Sequence, residues 1–255
     1  MTVTFLGSGT SHGVPVVGCS CQVCTSSDPR DQRLRTSVHL AIAGKSIVID
    51  AGPDFRQQML MNRIGRLDAI LFTHEHKDHT GGLDDIRGYN LFQPDPIPIY
   101  AREAVLDRLR REYAYIFAGD GYPNTPRIAV HPITNHPFDA LGVPFTPIEV
   151  RHYQLSVLGF RTGAFTYLTD AKQIGDAEKE KLRGTHTLVV NALHYTPNVA
   201  HFTVDEALAL VEELQPQRAY FVHMSHEIGL HREVEKTLPD RVALAHDGLQ
   251  ITIDE

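Results

Sequence analysis

The feature that most constrains this chain is the cluster of metal-binding residue types at 74–79, which read His-Glu-His-Lys-Asp-His. Residues 69–72 before the cluster are apolar and predict a β-strand, and two glycines follow it. The first two histidines alternate along an extended backbone, so they can converge with the aspartate and the third histidine where the chain turns. Imidazole and carboxylate groups suit zinc, manganese and iron. The cluster therefore predicts a metal site with the ligands His74, His76, Asp78 and His79.

The remaining ligands of such a site must come from distant parts of the chain, because one short segment cannot surround a metal ion. Three candidates stand at the ends of apolar stretches that predict strands: His152, Asp170 and His223. Judged by position alone, each of them has a packed or solvated side chain as its alternative interpretation. The density of ligand types in the 74–79 cluster leaves no such alternative there.

Short apolar runs rich in β-branched residues recur along the chain and predict strands. They cover residues 3–6, 38–43, 47–49, 69–72, 97–100, 145–150, 158–161, 164–168, 187–192, 219–222, 242–245 and 249–253. Helical spacing covers residues 55–60, 104–116 and 204–214, with Thr203 and Glu206 as a capping box before the last of these. This order predicts an α/β (α+β) fold, an αββα sandwich of two mixed sheets packed face to face with helices outside. We expect residues 1–255 to form a single domain.

One irregular segment interrupts this pattern. Residues 118–137 carry glycine and proline at short intervals, after a stretch that contains three aromatic residues. Such composition predicts a loop that is either an active-site lid or an ordinary surface connection.

The charge balance of the chain bears on its partners. Lys and Arg number 24 against 31 Asp and Glu, so the formal net charge is −7 and does not attract nucleic acid or anionic membranes. The N-terminus lacks the basic start and apolar core of a signal peptide, and no stretch approaches the ~20 apolar residues of a membrane span. We expect a cytoplasmic protein with a small substrate and no nucleic-acid or membrane partner. A homodimer is left open.

The chain has only three cysteines, Cys19, Cys21 and Cys24, all within one short segment. An odd number at such close spacing does not match the disulfide framework of a secreted protein. Metal binding is the leading interpretation, and three reduced thiols in an ordered loop are the alternative.

The chain resembles the metallo-β-lactamase fold hydrolases in its motifs and their order. These motifs are Thr-His-x-His-x-Asp-His at 73–79, Ile-Asp-Ala-Gly at 49–52 before it, and Asp170 and His223 after it. The resemblance implies that Asp50 orients the ligand loop, although a strand-ending turn residue is its alternative role. It also implies two metal sites: His74, His76 and His152 hold one ion, Asp78, His79 and His223 hold the other, and Asp170 bridges them.

Within that superfamily the chain is most similar to PhnP-type phosphodiesterases, the accessory proteins of carbon-phosphorus lyase. The resemblance is carried by Gly-Ser-Gly-Thr-Ser-His-Gly-Val-Pro at 7–15 and by the three cysteines that follow. It implies a structural zinc site formed by Cys19, Cys21, Cys24 and His226, and Cys3His ligation is a closed four-coordinate set that zinc accepts.

His194 matches a histidine that protonates the leaving group in this branch of the superfamily. The match is loose, because Asn191 stands where related chains tend to carry an acidic residue. A buried structural histidine is the alternative. No motif supports a role for the other histidines, which are His12, His39, His131, His136, His186, His201, His231 and His246.

The resemblance implies a dinuclear phosphodiesterase with two divalent ions, zinc or manganese or iron, at the active site and one structural zinc. Its substrate would be a small cyclic phosphodiester such as a ribosyl 1,2-cyclic phosphate or a cyclic nucleotide, attacked by a hydroxide that bridges the metals. Asp78, Asp170 and His194 would be the catalytic residues.

The sequence is compatible with three alternative functions. A tRNA 3′-processing nuclease of the same fold would need a basic surface, for which the local candidates are Arg102, Arg108, Arg110 and Arg111. A thioester or lactone hydrolase would use the same metal chemistry on a carbonyl group. A non-catalytic scaffold is disfavoured because every expected ligand position is filled.

Overall fold

The computed structural model describes residues 1–119 and 124–253. In this part of the chain the strands lie close to the predicted positions. They are β1 (Thr2–Gly7), β2 (Ser37–Ile42), β3 (Lys45–Ile49), β4 (Ala69–Leu71), β5 (Ile97–Ala101), β6 (Ile128–Pro132), β7 (Phe138–Ala140), β8 (Val143–His152), β9 (Leu155–Thr162), β10 (Phe165–Tyr167), β11 (Gln173–Ile174), β12 (Thr187–Asn191), β13 (Arg218–Val222), β14 (Val242–Leu244) and β15 (Gln250–Thr252).

The strands form two mixed sheets. In the first sheet the order is β15-β1-β2-β3-β4-β5-β6, with antiparallel pairs as far as β3 and parallel pairs from β3 to β6. In the second sheet the order is β11-β8-β9-β10-β12-β13-β14, with β7 paired to β8 outside this path. Its strands are antiparallel from β11 to β10 and parallel from β10 to β14.

Helices lie on the outer faces of the sheets. They are α1 (Phe55–Met61), α2 (Lys77–Thr80), α3 (Arg87–Asn90), α4 (Glu103–Glu112), α5 (Ala114–Phe117), α6 (Asp176–Leu182), α7 (Val204–Leu214) and α8 (His231–Glu235). The capping box predicted for α7 is present: the Thr203 hydroxyl accepts from the Glu206 N–H, and the Glu206 carboxylate accepts from the Thr203 N–H. No helix in the described ranges is long and apolar enough to cross a bilayer.

Alternation along the strands builds three apolar layers. In β3, Ile47 and Ile49 belong to the core between the sheets, whereas Val48 belongs to the core under the helices of the first sheet. In β12, Val189 faces the intersheet core and Val190 packs in the layer that includes α7. One apolar layer between the sheets and one under each set of helices make up the αββα sandwich, so the predicted fold class is confirmed.

Two local predictions need correction. The helix predicted over 104–116 is two helices, because Tyr113 leaves the helical conformation with φ −119° and ψ 41° between α4 and α5. The irregular segment 118–137 contains β6, which pairs in parallel with β5 at the edge of the sheet and was missed because Pro132 lies at its end. Residues 120–123 of that segment lie outside the described residues, so the lid prediction is untested there.

Candidate active site

The 74–79 cluster begins in the connection after β4 and ends within α2, and the structure brings it against the end of β8. His74 is fully buried, His76 is exposed, and His152 is the last residue of β8. The ring centroid of His76 lies 4.7 Å from that of His74 and 5.1 Å from that of His152. One ring nitrogen from each histidine lies within 4.8 Å of the others, which is a spacing that a metal ion can bridge.

A second group of ligand types lies beside the first. Asp78 and His79 come from α2, and His223 follows the end of β13. Asp78 Oδ2 lies 3.3 Å from His79 Nε2 and 3.6 Å from His223 Nε2. These three side chains form a second set whose ligand atoms are all within 4.8 Å of one another.

Asp170 faces both groups. Its Oδ2 lies 3.2 Å from His79 Nε2, and its Oδ1 lies 3.3 Å from His223 Nε2 and 3.9 Å from His152 Nε2. The Thr169 hydroxyl donates to Oδ2 at 2.7 Å. The Asp170 carboxylate thus contacts His79 and His223 of the second set and faces His152 of the first, so it is placed to be shared between two ions.

Asn191 holds the backbone next to Asp170. Its side-chain oxygen accepts from the Ala171 N–H at 2.7 Å, and its side-chain amide donates to the Ala171 carbonyl at 3.0 Å. An amide makes both bonds, whereas a carboxylate could only accept. This paired contact gives a physical reason for Asn191 at a position where an acidic residue was expected.

Three of the site residues adopt a left-handed backbone conformation. The φ angles are 65° at Asp50, 53° at Asp170 and 56° at His223, and each follows the end of a strand or an apolar stretch. Non-glycine residues rarely adopt this conformation, and it concentrates at functional sites where the surrounding structure supports the strain. With these conformations Asp170 and His223 join the ligand cluster, and Asp50 lies beneath it.

Asp50 lies beneath the cluster and is fully buried. Its Oδ1 accepts from the Thr73 N–H at 2.8 Å, and its Oδ2 accepts from the Thr73 hydroxyl at 2.8 Å. The same Oδ2 lies 2.6 Å from His79 Nδ1. Burial raises the pKa of Asp50, although His79 and the Thr73 bonds oppose the shift.

Hydrogen bonds at Nδ1 leave Nε2 of three histidines free to bind a metal. His79 Nδ1 donates to Asp50, His152 Nδ1 donates to the Ala200 carbonyl at 2.9 Å, and His74 Nδ1 pairs with the Thr73 hydroxyl at 2.9 Å. In the buried interior His74 Nε2 and His79 Nε2 have no hydrogen-bond partner. Orphaned ring nitrogens beside carboxylates fit divalent ions such as zinc.

The electrostatics of the cluster also fit cations. Burial disfavours ionisation of Asp170, but His223 and His79 outweigh it and lower the pKa of Asp170 well below its ordinary value. Burial likewise opposes the charge on His79, but Asp170, Asp78 and Asp50 raise its pKa well above its ordinary value. The three carboxylates thus create a strongly negative buried field, which divalent ions would neutralise.

His201 belongs to the site, although no motif marks it. Its ring is largely buried, with its centroid 4.6 Å from that of His152 and 4.7 Å from that of His223. Its Nδ1 lies 3.7 Å from Asp170 Oδ1 and has no hydrogen-bond partner. The sequence offers only one weak signal for this residue, its position two residues before the helix cap Thr203.

His194 lies elsewhere in the fold. Its ring is buried, and its Nε2 is 3.5 Å from a carboxylate oxygen of Glu227. It is in none of the metal-ligand groups found among the described residues. The structure therefore does not bring His194 together with the metal ligands, although the sequence predicts a role for it there.

The three cysteines converge on His226, as the resemblance implies. His226 Nδ1 lies 3.3 Å from the sulfurs of Cys19 and Cys21 and 3.5 Å from that of Cys24. The Cys24 N–H and His226 lower the pKa of the Cys21 thiol to about 6, which favours the thiolate that zinc binds. Three thiols and one imidazole within bonding reach of a common centre fit a structural zinc ion.

Similar proteins identify the family of this chain. A family model described as a Beta-lactamase superfamily domain matches residues 45–224. A crystal structure of a new diphosphatase from the PhnP family superposes with a TM-score of 0.93 at 40% identity, covering 99% of this chain and 98% of that one. The chain belongs to the PhnP family. Membership in this family and in the β-lactamase superfamily supports a metal-dependent hydrolase.

Two further relatives of this PhnP-family chain bear other names. An octanoyltransferase of Porphyromonas gingivalis is 40% identical over 258 residues, which cover 100% of this chain and 52% of that protein. The zinc-bound PqqB structure from Methylobacterium extorquens has a TM-score of 0.80 at 19% identity, covers 99% of this chain and 100% of that one, and shows the shared fold. The chain spans about half the length of the curated relatives it matches.

Proposed function

We propose that this PhnP-family chain is a dinuclear metal-dependent phosphodiesterase that hydrolyses small, cyclic phosphodiesters. The observation that carries the proposal is the position of Asp170, whose two carboxylate oxygens face His79, His223 and His152 at 3.2 to 3.9 Å. A solved relative at 40% identity is a diphosphatase, so a phosphoryl group is the substrate class closest to this site.

The side chains would divide between two ions. His74, His76 and His152 would hold one, Asp78, His79 and His223 the other, and Asp170 both. When bound, such a pair supplies an activated water nucleophile and neutralises charge on the phosphoryl oxygens. Zinc and manganese are both compatible with these ligands.

The protein itself contributes orientation. Asp50 fixes the ring of His79, and the Ala200 carbonyl fixes the ring of His152, so both histidines present Nε2 to the same cleft. Thr169 and Asn191 restrain Asp170 from two sides. A site preorganised in this way does not have to reorganise when substrate arrives.

We assign to His201 the role of donating the proton that the leaving alkoxide requires. Its ring packs against those of His152 and His223, whereas His194 faces Glu227. A histidine beside the reacting phosphate can transfer a proton directly, which typically contributes a factor of about 10² to 10⁴ in rate. His201 therefore takes the role that the sequence suggested for His194.

The surface charges favour a small substrate over a nucleic acid. The basic patch considered from the sequence is largely compensated: Arg102 pairs with Glu149 at 2.6 Å, Arg108 with Glu112 at 2.5 Å, and Arg110 with Glu103 at 2.6 Å. Nucleic-acid affinity depends on cations that are free to contact phosphates. We also place the protein in the cytoplasm, where reduced thiols remain available for the Cys3His site.

The test combines elemental analysis with a substrate screen on the purified protein. The screen contains ribosyl 1,2-cyclic phosphate, cyclic nucleotides, short RNA and an octanoyl thioester. We expect about three metal ions per chain, from two at the active site and one at the cysteines, and turnover of the cyclic phosphodiesters. The variant Asp170→Asn should lose active-site metal and turnover together. Preferred turnover of RNA or of the thioester, or full activity of Asp170→Asn, would overturn the proposal.

A further inference from the structure

The hairpin between β8 and β9 places an aromatic residue next to a metal-ligand position. His152 pairs with Leu155, so only Tyr153 and Gln154 form the turn. Tyr153 follows His152 directly and has a φ of 54°. The side chain at this position is therefore carried on a short, tightly constrained connection beside the active site.

Tyrosine is a poor choice for this turn on local grounds. Two-residue hairpin turns with positive φ favour asparagine and glycine, because a bulky side chain is strained in the left-handed region. A residue that conflicts with its local conformation is expected mainly where its side chain has a function. The turn therefore carries an aromatic ring at a position where asparagine would be less strained.

The ring of Tyr153 is not covered by the rest of the chain. Its relative exposure is 65%, and Val199, in the connection between β12 and α7, is 74% exposed. Val199 immediately precedes Ala200, whose carbonyl accepts the hydrogen bond from His152 Nδ1 at 2.9 Å. This hydrogen bond joins His152, the neighbour of Tyr153, to Ala200, the neighbour of Val199. Both exposed side chains are therefore next in sequence to residues at the edge of the metal cluster.

We propose that Tyr153, together with Val199, forms a subsite that stacks the planar base of a nucleoside phosphate whose phosphate lies at the metal cluster. This rests on the proposed function, because it assumes that the cluster binds a phosphoryl group. An aromatic ring stacks on any nucleobase, and such contacts are sequence-tolerant since every base has a π-face. Among small cyclic phosphodiesters, the subsite would favour those that carry a base.

The test compares two substrates that differ in the base. Adenosine 2′,3′-cyclic phosphate carries it, and methyl riboside 2,3-cyclic phosphate does not. In Tyr153→Asn we expect the ratio of kcat/KM for the first substrate to that for the second to fall about tenfold, through KM, as expected for loss of one stacking contact. Tyr153→Phe keeps the ring and should keep the ratio. The control Phe92→Ala removes an aromatic side chain that is also exposed, at 88%, but lies in another part of the fold. It should leave the ratio unchanged.

Asparagine suits the left-handed turn, so Tyr153→Asn should also raise Tm by about 2–4 °C. A raised Tm would exclude misfolding as the cause of a lower ratio of the two kcat/KM values. Calorimetric titration of the metal-loaded protein with adenosine 5′-monophosphate and with ribose 5-phosphate gives a readout that needs no turnover. If neither cyclic phosphate is hydrolysed, the proposed function has failed. The subsite is then supported only if Tyr153→Asn lowers the affinity for adenosine 5′-monophosphate and leaves that for ribose 5-phosphate unchanged. An equal loss for both ligands, or no loss, would overturn the subsite.

Discussion

The carboxylate of Asp50 lies 2.6 Å from Nδ1 of His79, and both groups are buried beneath the metal cluster. The same carboxylate binds the backbone and side chain of Thr73, so it ties the end of β4 to α2. A buried acceptor at Nδ1 fixes the tautomer of the imidazole and aims Nε2 at the cleft. Asp50 therefore determines how the ligand loop is presented, without being a ligand itself.

The variant Asp50→Asn should weaken metal binding at the active site by about 10- to 100-fold. Its amide would face His79 Nδ1 with a donor or a weaker acceptor, so the ring would no longer be held in the metal-binding tautomer. Competition with a chromophoric chelator measures the affinity. The matched control is Asp107→Asn, an exposed carboxylate that pairs with Arg110. Equal metal affinity in Asp50→Asn and the wild type would show that the contact has no orienting role.

The variant His201→Gln should lower kcat by about a hundredfold or more on a substrate with an alkoxide leaving group. On bis-p-nitrophenyl phosphate the loss should be much smaller, because p-nitrophenolate leaves without protonation. A residue needed only for metal binding would reduce both rates alike. The same pair of substrates applied to His194→Gln decides between the two histidines: a selective loss in His194→Gln would restore the sequence prediction and contradict our assignment.

The variant Cys21→Ser should lose about one zinc ion per chain and keep the active-site pair. Cys21, Cys19 and Cys24 surround His226, so removal of one thiolate opens a four-coordinate set that depends on all its ligands. Elemental analysis after gel filtration measures the stoichiometry. Ser20→Ala, at an exposed position in the same loop, is the control. Retention of the full metal content in Cys21→Ser would contradict a zinc site at the cysteines.

Acid should destabilise the protein partly through His39, whose pKa burial lowers to about 4 from the ordinary value of 6.5. Between these two values the unfolded chain binds more protons than the folded one, so the free energy of unfolding decreases as the pH falls from 6.5 to 4. The contribution of His39 to the free energy of unfolding is present in full above pH 6.5 and amounts to about 3 kcal/mol.

In His39→Gln the side-chain amide can still donate to the Ser46 hydroxyl, which lies 2.8 Å from His39 Nε2, but it does not titrate. Urea unfolding at pH 4 and pH 7.5 should therefore show a smaller difference in the variant than in the wild type. Loss of metal in acid affects both proteins and cancels in this comparison. His186→Gln, at an exposed position, serves as the control. An identical pH dependence in His39→Gln and the wild type would show that His39 is not the group responsible.

Local patterns in the sequence were sufficient for the fold class. Alternating apolar residues in β3 and β12 face different layers, and this period follows directly from strand geometry. The break at Tyr113 and the edge strand β6 were not predictable in the same way. The first depends on packing around α2, where the Tyr113 hydroxyl donates to the Thr80 carbonyl, and the second on pairing with a distant strand.

The sequence by itself determined which residue types could bind metal, because the 74–79 cluster and the three cysteines are dense local motifs. Only the tertiary structure decided which histidine of the 194–201 segment lies at the cluster. Backbone bonds from Leu193 N to Phe202 O and from Val204 N to His194 O close this segment into a loop. The closure turns His201 toward Asp170 and leaves His194 beside Glu227. The direction of a side chain on such a loop is set by contacts between residues far apart in the chain, and no local pattern records it.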